Sequence, residues 1–332
     1  MKKPIANKFI PQEEYLSDTS YIGYDMLSKS MNNWSQLCAY QLNNIPIKGR
    51  HQVLQLKTMQ IIFAHREGST MHNAYPARNT INIAITTDIQ GVACFGEMKI
   101  SKGDMYIFDD LQGHNFIINK SIDFIAISID KKHLNKELDY FKSAYHKLFK
   151  DNNDKVKDFL YSLLEKFISQ KELFNYSLFD EIEKKILLLL KNIITNAPSS
   201  YTKLTKGEKI AIIIRDKLFA HMDSTQTIHS LAKEYQIREQ TLQNSFKSLF
   251  GFTPKYFIRT LKLNIIHYEL QQKKLSTITI SRIANKWGFN HMGRFSQYYK
   301  ELFLETPSKT REIAQRESKF LSFSCVQRKE EI

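Results

Sequence analysis

Two periodicities divide the chain. Up to about residue 130 apolar and polar positions alternate, as in Thr80-Ile81-Asn82-Ile83-Ala84-Ile85-Thr86 and Phe124-Ile125-Ala126-Ile127-Ser128-Ile129. Gly91, Gly96, Gly103 and Gly113 punctuate the segments, and this pattern predicts short strands joined by turns, a small barrel or sandwich. After about Lys131 the period lengthens to 3.6. Val156, Phe159, Leu160, Leu163, Leu164, Phe167 and Ile168 share one helical face, and a second helix is expected from about Ser177 to Thr195 around Leu187-Leu188-Leu189-Leu190. Either the barrel or a second copy of the chain can cover those stripes, and the pattern alone leaves both open. Asn196-Ala197-Pro198-Ser199-Ser200 reads as a linker.

Beyond the linker the chain repeats itself. At an offset of 53, Leu242-Gln243-Asn244-Ser245-Phe246-Lys247-Ser248-Leu249-Phe250 lies over Phe295-Ser296-Gln297-Tyr298-Tyr299-Lys300-Glu301-Leu302-Phe303, and Thr253-Pro254 over Thr306-Pro307. Upstream the offset is 52, which sets Thr227-Ile228 over Thr279-Ile280 and Leu231-Ala232 over Ile283-Ala284. Each copy has a Thr suited to cap a short helix, a tight connection and a second amphipathic helix, the pattern of a helix-turn-helix. In the first copy the second helix is expected from about Arg238 to Phe250. Turning Leu242, Phe246 and Leu249 inward leaves Gln240, Gln243, Asn244 and Lys247 on the outer face. In the second copy, Gly288 precedes a helix from about His291 to Phe303 that turns Phe295, Tyr299, Leu302 and Phe303 inward and leaves His291, Arg294, Gln297 and Lys300 outside. Gln and Asn suit adenine in the major groove, and Arg suits guanine. Pro254 opens a long helix to about Gln271 between the copies, so two reading heads can address major grooves about 34 Å apart on one DNA face.

Charge sharpens this reading. Residues 203–311 hold 19 Lys and Arg against 8 Asp and Glu, a balance of +11, of the total of +14; residues 1–202 hold 25 against 22. A solvated polar face occurs on any surface helix, but a duplicated one in a strongly basic segment points to a polyanion, double-stranded DNA. With 42% hydrophobic residues over 332 positions, the composition is that of a globular protein of about two domains. There is no apolar run long enough for a membrane span and no apolar leader after Met1-Lys2-Lys3-Pro4, so a cytoplasmic protein without a membrane partner is expected. Cys38, Cys94 and Cys325 are too scattered for a zinc site or a disulfide framework and are expected to be reduced thiols.

From about Lys206 to Arg311 the sequence resembles the AraC family of bacterial transcription regulators. The resemblance is carried by Ile283-Ala284-Asn285-Lys286-Trp287-Gly288-Phe289-Asn290-His291-Met292-Gly293-Arg294-Phe295, continued by Tyr299, Lys300, Phe303 and Thr306-Pro307-Ser308. Thr241-Leu242-Gln243-Asn244-Ser245-Phe246 and Leu261-Lys262-Leu263-Asn264 are most similar to the branch containing the ethanolamine-operon regulator. The resemblance implies DNA contacts at Gln240, Gln243 and Asn244 in the first head and at Met292, Gly293, Arg294 and Gln297 in the second. Met292 and Gly293 replace residues that are often polar, Arg238 stands where a capping Ser is common, and Leu304 where a Gly usually ends the helix.

The expected architecture is α+β: a cupin-like β-barrel sensor domain over 1–140, a helical segment over 141–200 open to dimerisation, an all-α double helix-turn-helix domain over 203–311, and a tail over 312–332. In the front half His72 and His114 lack the spacing of a cupin metal site and are expected to be ordinary barrel histidines. Asp104, Asp109 and Asp110 are expected to be solvated turn carboxylates, and Tyr40, Phe63, Tyr75, Phe95, Phe108 and Phe116 to form core rather than line a ligand cavity. There is no catalytic constellation, so no enzyme, metal or cofactor is expected. The implied function is a transcription activator with a small-molecule effector at the front domain, and with RNA polymerase and a second copy as protein partners. The alternative is a ligand-independent regulator whose front half answers to a protein.

Overall fold

The computed structural model describes residues 15–22, 35–96, 98–110, 114–134, 137–150, 154–169, 176–197, 204–220, 227–272 and 277–316. Gly113, Cys325, Pro198-Ser199-Ser200 of the expected linker and residues 317–332 of the expected tail lie outside them. The chain divides into two compact units. The first comprises Met1–Leu37, Ile47–Glu67 and His72–Lys203; the second comprises Cys38–Pro46, Gly68–Met71 and Leu204–Ile332.

Twelve strands form among the described residues: β1 (Leu16–Ile22), β2 (Ser35–Gln41), β3 (Lys48–Gln55), β4 (Met59–Glu67), β5 (Thr70–Tyr75), β6 (Thr80–Gln90), β7 (Ala93–Phe95), β8 (Met98–Ile100), β9 (Asp104–Phe108), β10 (His114–Ile118), β11 (Ser121–Asp130) and β12 (Leu148–Lys150). They make two sheets, ordered β1-β3-β4-β11-β6-β9-β12 and β2-β5-β10-β7-β8, so the cupin-like half is a pair of sheets and not the single closed barrel expected. The larger sheet is antiparallel throughout, with Ile127 opposite both Ile61 and Ile83. Helix α1 (Leu138–Ser143) follows, then α2 (Lys155–Ser169) and α3 (Tyr176–Asn196).

The isoleucine face of the large sheet, with Ile61, Ile81, Ile83, Ile85, Ile125 and Ile127 fully buried, shares one core with Val156, Leu160, Leu163, Leu164 and Phe167 of α2 and Phe179, Ile182, Ile186 and Leu190 of α3. The sheet therefore covers the stripes that the periodicity left unassigned. Ile168 departs from the expected stripe and is 55% exposed, because it stands in the last turn of α2. The alternation in β6 does not mark a solvated face either. Asn82 and Thr80 are buried, and Asn82 accepts from Ser128 Oγ (2.8 Å) and donates to Thr80 Oγ1 (3.0 Å), satisfying polar groups that burial would otherwise penalise.

The helices of the second unit are α4 (Lys206–Ala220), α5 (Ile228–Glu234), α6 (Glu239–Phe250), α7 (Pro254–Gln271), α8 (Ile280–Lys286), α9 (Met292–Phe303) and α10 (Pro307–Arg316). Their boundaries follow from local chemistry. Thr227, Thr253 and Thr279 each accept a backbone N–H three residues on, capping α5, α7 and α8, and Pro254 and Pro307 occupy first-turn positions where no N–H is needed. Gly251 ends α6 at φ 78° in the left-handed region, and Leu304 ends α9 at φ 59°. Helix α10 runs to Arg316, past the Arg311 at which the sequence places the end of the DNA-binding segment. Helix α4 was not read from the sequence. It packs so closely on α6 that a Cβ at Gly207 would lie 2.5 Å from Ser245 Oγ.

Candidate nucleic-acid interface

The duplicated sequence folds as two helix-turn-helix units, α5–α6 and α8–α9, joined by α7. In each unit the small inner residue (Ala232 or Ala284) is buried, as is the apolar side of the second helix: Leu242, Phe246 and Leu249 in α6, Phe295, Tyr299 and Leu302 in α9. This packing determines which side chains face outward.

On α6, Gln240, Asn244 and Lys247 are exposed and Gln243 is half-buried. Gln240 donates to Asn244 Oδ1 (2.9 Å), so two of the four predicted side chains are linked along the outer face. Arg238 holds the N-cap position without a side-chain capping bond, as its chemistry requires. On α9, His291 occupies the N-cap position, and it, Gly293, Arg294, Gln297 and Lys300 are exposed, whereas Met292 is half-buried. A Cβ at Gly293 would meet nothing within 4 Å, so the backbone of the first turn is open to close approach. Gln297 donates to Glu301 Oε1 (2.9 Å), a residue that sequence reasoning passed over although the i, i+4 spacing was legible. Two others missed are His229 and Glu239, whose Nδ1 and Oε1 lie 2.7 Å apart beside the first turn of α6.

Helix α7, eighteen residues long and so about 27 Å, is fixed to both units. Phe257 packs with Phe246 and Phe250 at centroid distances of 5.8 and 6.1 Å. Toward the second unit, His267 stacks on Phe303 at 4.2 Å, and its Nδ1 lies 2.7 Å from the Tyr299 hydroxyl. Tyr299 reaches Thr310 Oγ1 at 2.8 Å, and Thr310 bonds to Glu305. Burial pushes the His267 imidazole down to about 4, so it is neutral at pH 7; it also pushes the Tyr299 phenol up. Also within the second unit, Asn264 accepts from the Gln41 backbone N–H and donates to the Gln41 carbonyl, both at 2.8 Å.

The first unit corrects one expectation about candidate chemistry. Asp104 and Asp109 are not solvated: both are buried, Asp104 pairing with Lys150 (3.0 Å) and Asp109 meeting His146 Nε2 (3.1 Å), while Asp110 pairs with Lys131. Their partners are distant in sequence, which adjacent residues could not reveal. His72 and His114 are buried, and burial lowers both imidazoles, so neither is charged at pH 7. Phe95 contacts Tyr106, Phe108, His114 and Phe116 ring to ring. Beside these rings lies a cavity of ≈ 20 Å³ lined by Arg66, Thr86, Phe95, Tyr106 and Phe116 among others, room for one water. Among the described residues no helix is long and apolar enough to cross a membrane.

Residues 231–313 match the family model described as a helix-turn-helix domain. The XylDLEGF operon transcriptional activator of Pseudomonas putida is 36% identical over 84 residues, 25% of this chain and 26% of that protein. The probable thc operon regulatory protein of Rhodococcus erythropolis is 29% identical over 93 residues, 28% of each chain. The chain thus matches about a quarter of the length of these curated relatives. Among solved structures, the AraC-like transcriptional activator CuxR covers 74% of this chain and 94% of its own at 10% identity and a TM-score of 0.42. ToxT from Vibrio cholerae covers 91% and 99% at 13% identity and a TM-score of 0.30. At TM-scores below 0.5 neither likeness bears on the argument. The family match falls on the duplicated segment, so the C-terminal part of this chain carries a helix-turn-helix domain.

Proposed function

We propose that the chain is a transcription activator that reads DNA with α6 and α9 in successive major grooves, under the control of its front domain. The observation that carries this reading is the pair of outward faces on two helix-turn-helix units fixed to one spacer helix. Gln240, Gln243, Asn244 and Lys247 act in the first head, and His291, Met292, Gly293, Arg294, Gln297 and Lys300 in the second. Met292 and Gly293 add backbone proximity rather than polar contacts, so Arg294 and Gln297 carry base choice in the second head. The basic balance of the segment supplies salt-dependent affinity for phosphates. RNA polymerase is the protein partner an activator requires, and the activator role takes support from the Pseudomonas putida relatives, which are named transcriptional activators.

Selection from random duplex DNA at near-physiological salt, with the full chain, tests the reading. Two short blocks about one helical turn, roughly 34 Å, apart are expected. Binding without a motif that vanishes as salt rises would mean a non-specific polyanion binder.

Control by a small molecule at a 1–140 sensor domain is the finer part of the proposal. The branch resemblance supplies the first probe, ethanolamine with and without cobalamin, and a thermal shift that grows with concentration is the expected sign. The alternative is a front half that answers to a protein. No thermal shift with any metabolite, together with a response to a protein partner, would select it. Dimerisation through the 141–200 helices is tested by sedimentation of the full chain.

A further inference from the structure

The part-buried His267–Tyr299 contact joins α9 to α7, and a second set of contacts joins the two heads along the surface. Phe252, in the turn between α6 and α7, stacks on Tyr256 with centroids 5.3 Å apart and ring planes at 11°. The Arg259 guanidinium carbon lies 5.2 Å from the Tyr256 ring and 4.0 Å from the ring of Tyr298 on α9. All four side chains are half-buried. The series therefore starts where the first reading helix ends, runs along the spacer, and finishes on the second reading helix, one residue beyond Gln297.

We propose that Arg259 is a positioning residue for DNA reading: by stacking Tyr298 against the spacer it fixes the angle of α9 relative to α6 and so determines the spacing between operator blocks that the protein accepts. The inference rests on the two-headed reading above. A planar guanidinium stacks on an aromatic face and resists rotation of its partner, whereas a lysine ammonium retains the charge but not the plane. One base pair of extra spacing moves the second block by about 3.4 Å and rotates it by about 34°. A head locked by a planar stack is thus sensitive to spacing, and a head freed from it follows the groove.

The test measures binding of the full chain to duplexes carrying the two selected blocks with the spacer lengthened or shortened by one and two base pairs. Wild type is expected to lose about tenfold or more per misplaced base pair, the size of an ordinary mismatch. Arg259→Ala and Arg259→Lys are both expected to flatten that profile to within about threefold, with preferences inside each block and thermal stability retained. Tyr298→Phe should keep the wild-type profile and Tyr298→Leu should flatten it. A wild-type profile for Arg259→Lys, or an equal loss at every spacing for Arg259→Ala, overturns the proposal, because either means that the charge serves a phosphate. Selection of only one block by the wild-type chain sinks the two-headed reading itself, a different result from two blocks with an unaltered spacing profile in the variants.

Discussion

The two helix-turn-helix units place left-handed residues at equivalent turns and fill them differently. The connection between the helices uses Gln236 at φ 50° in the first unit and Gly288 at φ 84° in the second. A Cβ at Gly288 would meet only Lys262 Nζ, at 3.8 Å, so Gly288→Ala introduces no clash and its effect is conformational alone. An L-residue in this region costs about 1–2 kcal/mol, and removing glycine recovers about 0.5–1 kcal/mol from the unfolded chain. The net loss is about 1 kcal/mol. Gln236→Gly is the reverse change: Gln236 is exposed and its backbone N–H donates to the Lys233 carbonyl (3.2 Å) whatever its side chain, so a gain of about 0.5–1 kcal/mol is expected. Each kcal/mol moves the midpoint of a domain of this size by about 4–8 °C. Trp287, buried beside Gly288, reports unfolding by fluorescence once Trp34, the other tryptophan, is replaced by Phe. A neutral Gly288→Ala together with a destabilising Gln236→Gly would refute the reasoning, because the turns would then not be held where φ is positive.

Other consequences are more local. Arg294→Ala should weaken specific binding by about 1–3 kcal/mol and relax the preference at one base pair, measured by anisotropy on matched and mismatched duplexes; an equal loss on random DNA contradicts base readout. Arg238→Ser should stabilise α6 by about 1 kcal/mol by supplying the missing N-cap acceptor, and an unchanged urea midpoint would show that the N–H groups are already satisfied. His267 adds a pH dependence. Its folded value of about 4 lies below its unfolded value, so the unfolded chain binds the extra proton: stability is full above the ordinary histidine range and is lost as pH falls toward 4. The loss attributable to this group is about 2–3 kcal/mol. Comparing wild type with His267→Gln at pH 7 and pH 4.5 isolates it from the carboxylates, and parallel pH profiles would remove His267 as the cause.

The C-terminal segment was legible because its signals are local. Each cap, turn and inward stripe lies within about four residues of its partner, and duplication displays each of them twice. Helix α4 escaped because Ile210, Ala211, Ile212 and Ile214 are all buried, so the run has little helical periodicity, and Arg215, almost fully buried, stands where a solvated residue would be expected. In the front half the strands were legible but their closure was not: whether alternating segments close into one barrel or form two sheets depends on pairings between distant residues. The same distance hid the burial of Asp104 and Asp109, whose partners Lys150 and His146 lie about forty residues away. The reading helices show the limit from the other side. Sequence placed their faces, while the Gln240–Asn244 and Gln297–Glu301 bonds that orient the amides emerged only from the structure.

The repeat also bears on the operator. At the offset of 53, Lys247 corresponds to Lys300 and Asn244 to Gln297, so the later turns of the two reading helices present the same kinds of group. The first turns do not: Gln240 corresponds to Gly293 and Thr241 to Arg294. Base edges are met chiefly by the N-terminal residues of a recognition helix, while lysines farther along suit phosphates. On the two-headed reading proposed above, the heads therefore present the same lysine to the backbone and differ most in the first turn, where base edges are chiefly met. The two operator blocks should then be unlike in sequence, with an adenine preference opposite Gln240 and a guanine preference opposite Arg294. Grafting Gly and Arg onto positions 240 and 241 should pull the first block toward the second in a repeat of the selection. Two identical blocks from the native chain would show that the first turns do not choose bases, and base choice would then rest on the shared positions, Asn244 and Gln297.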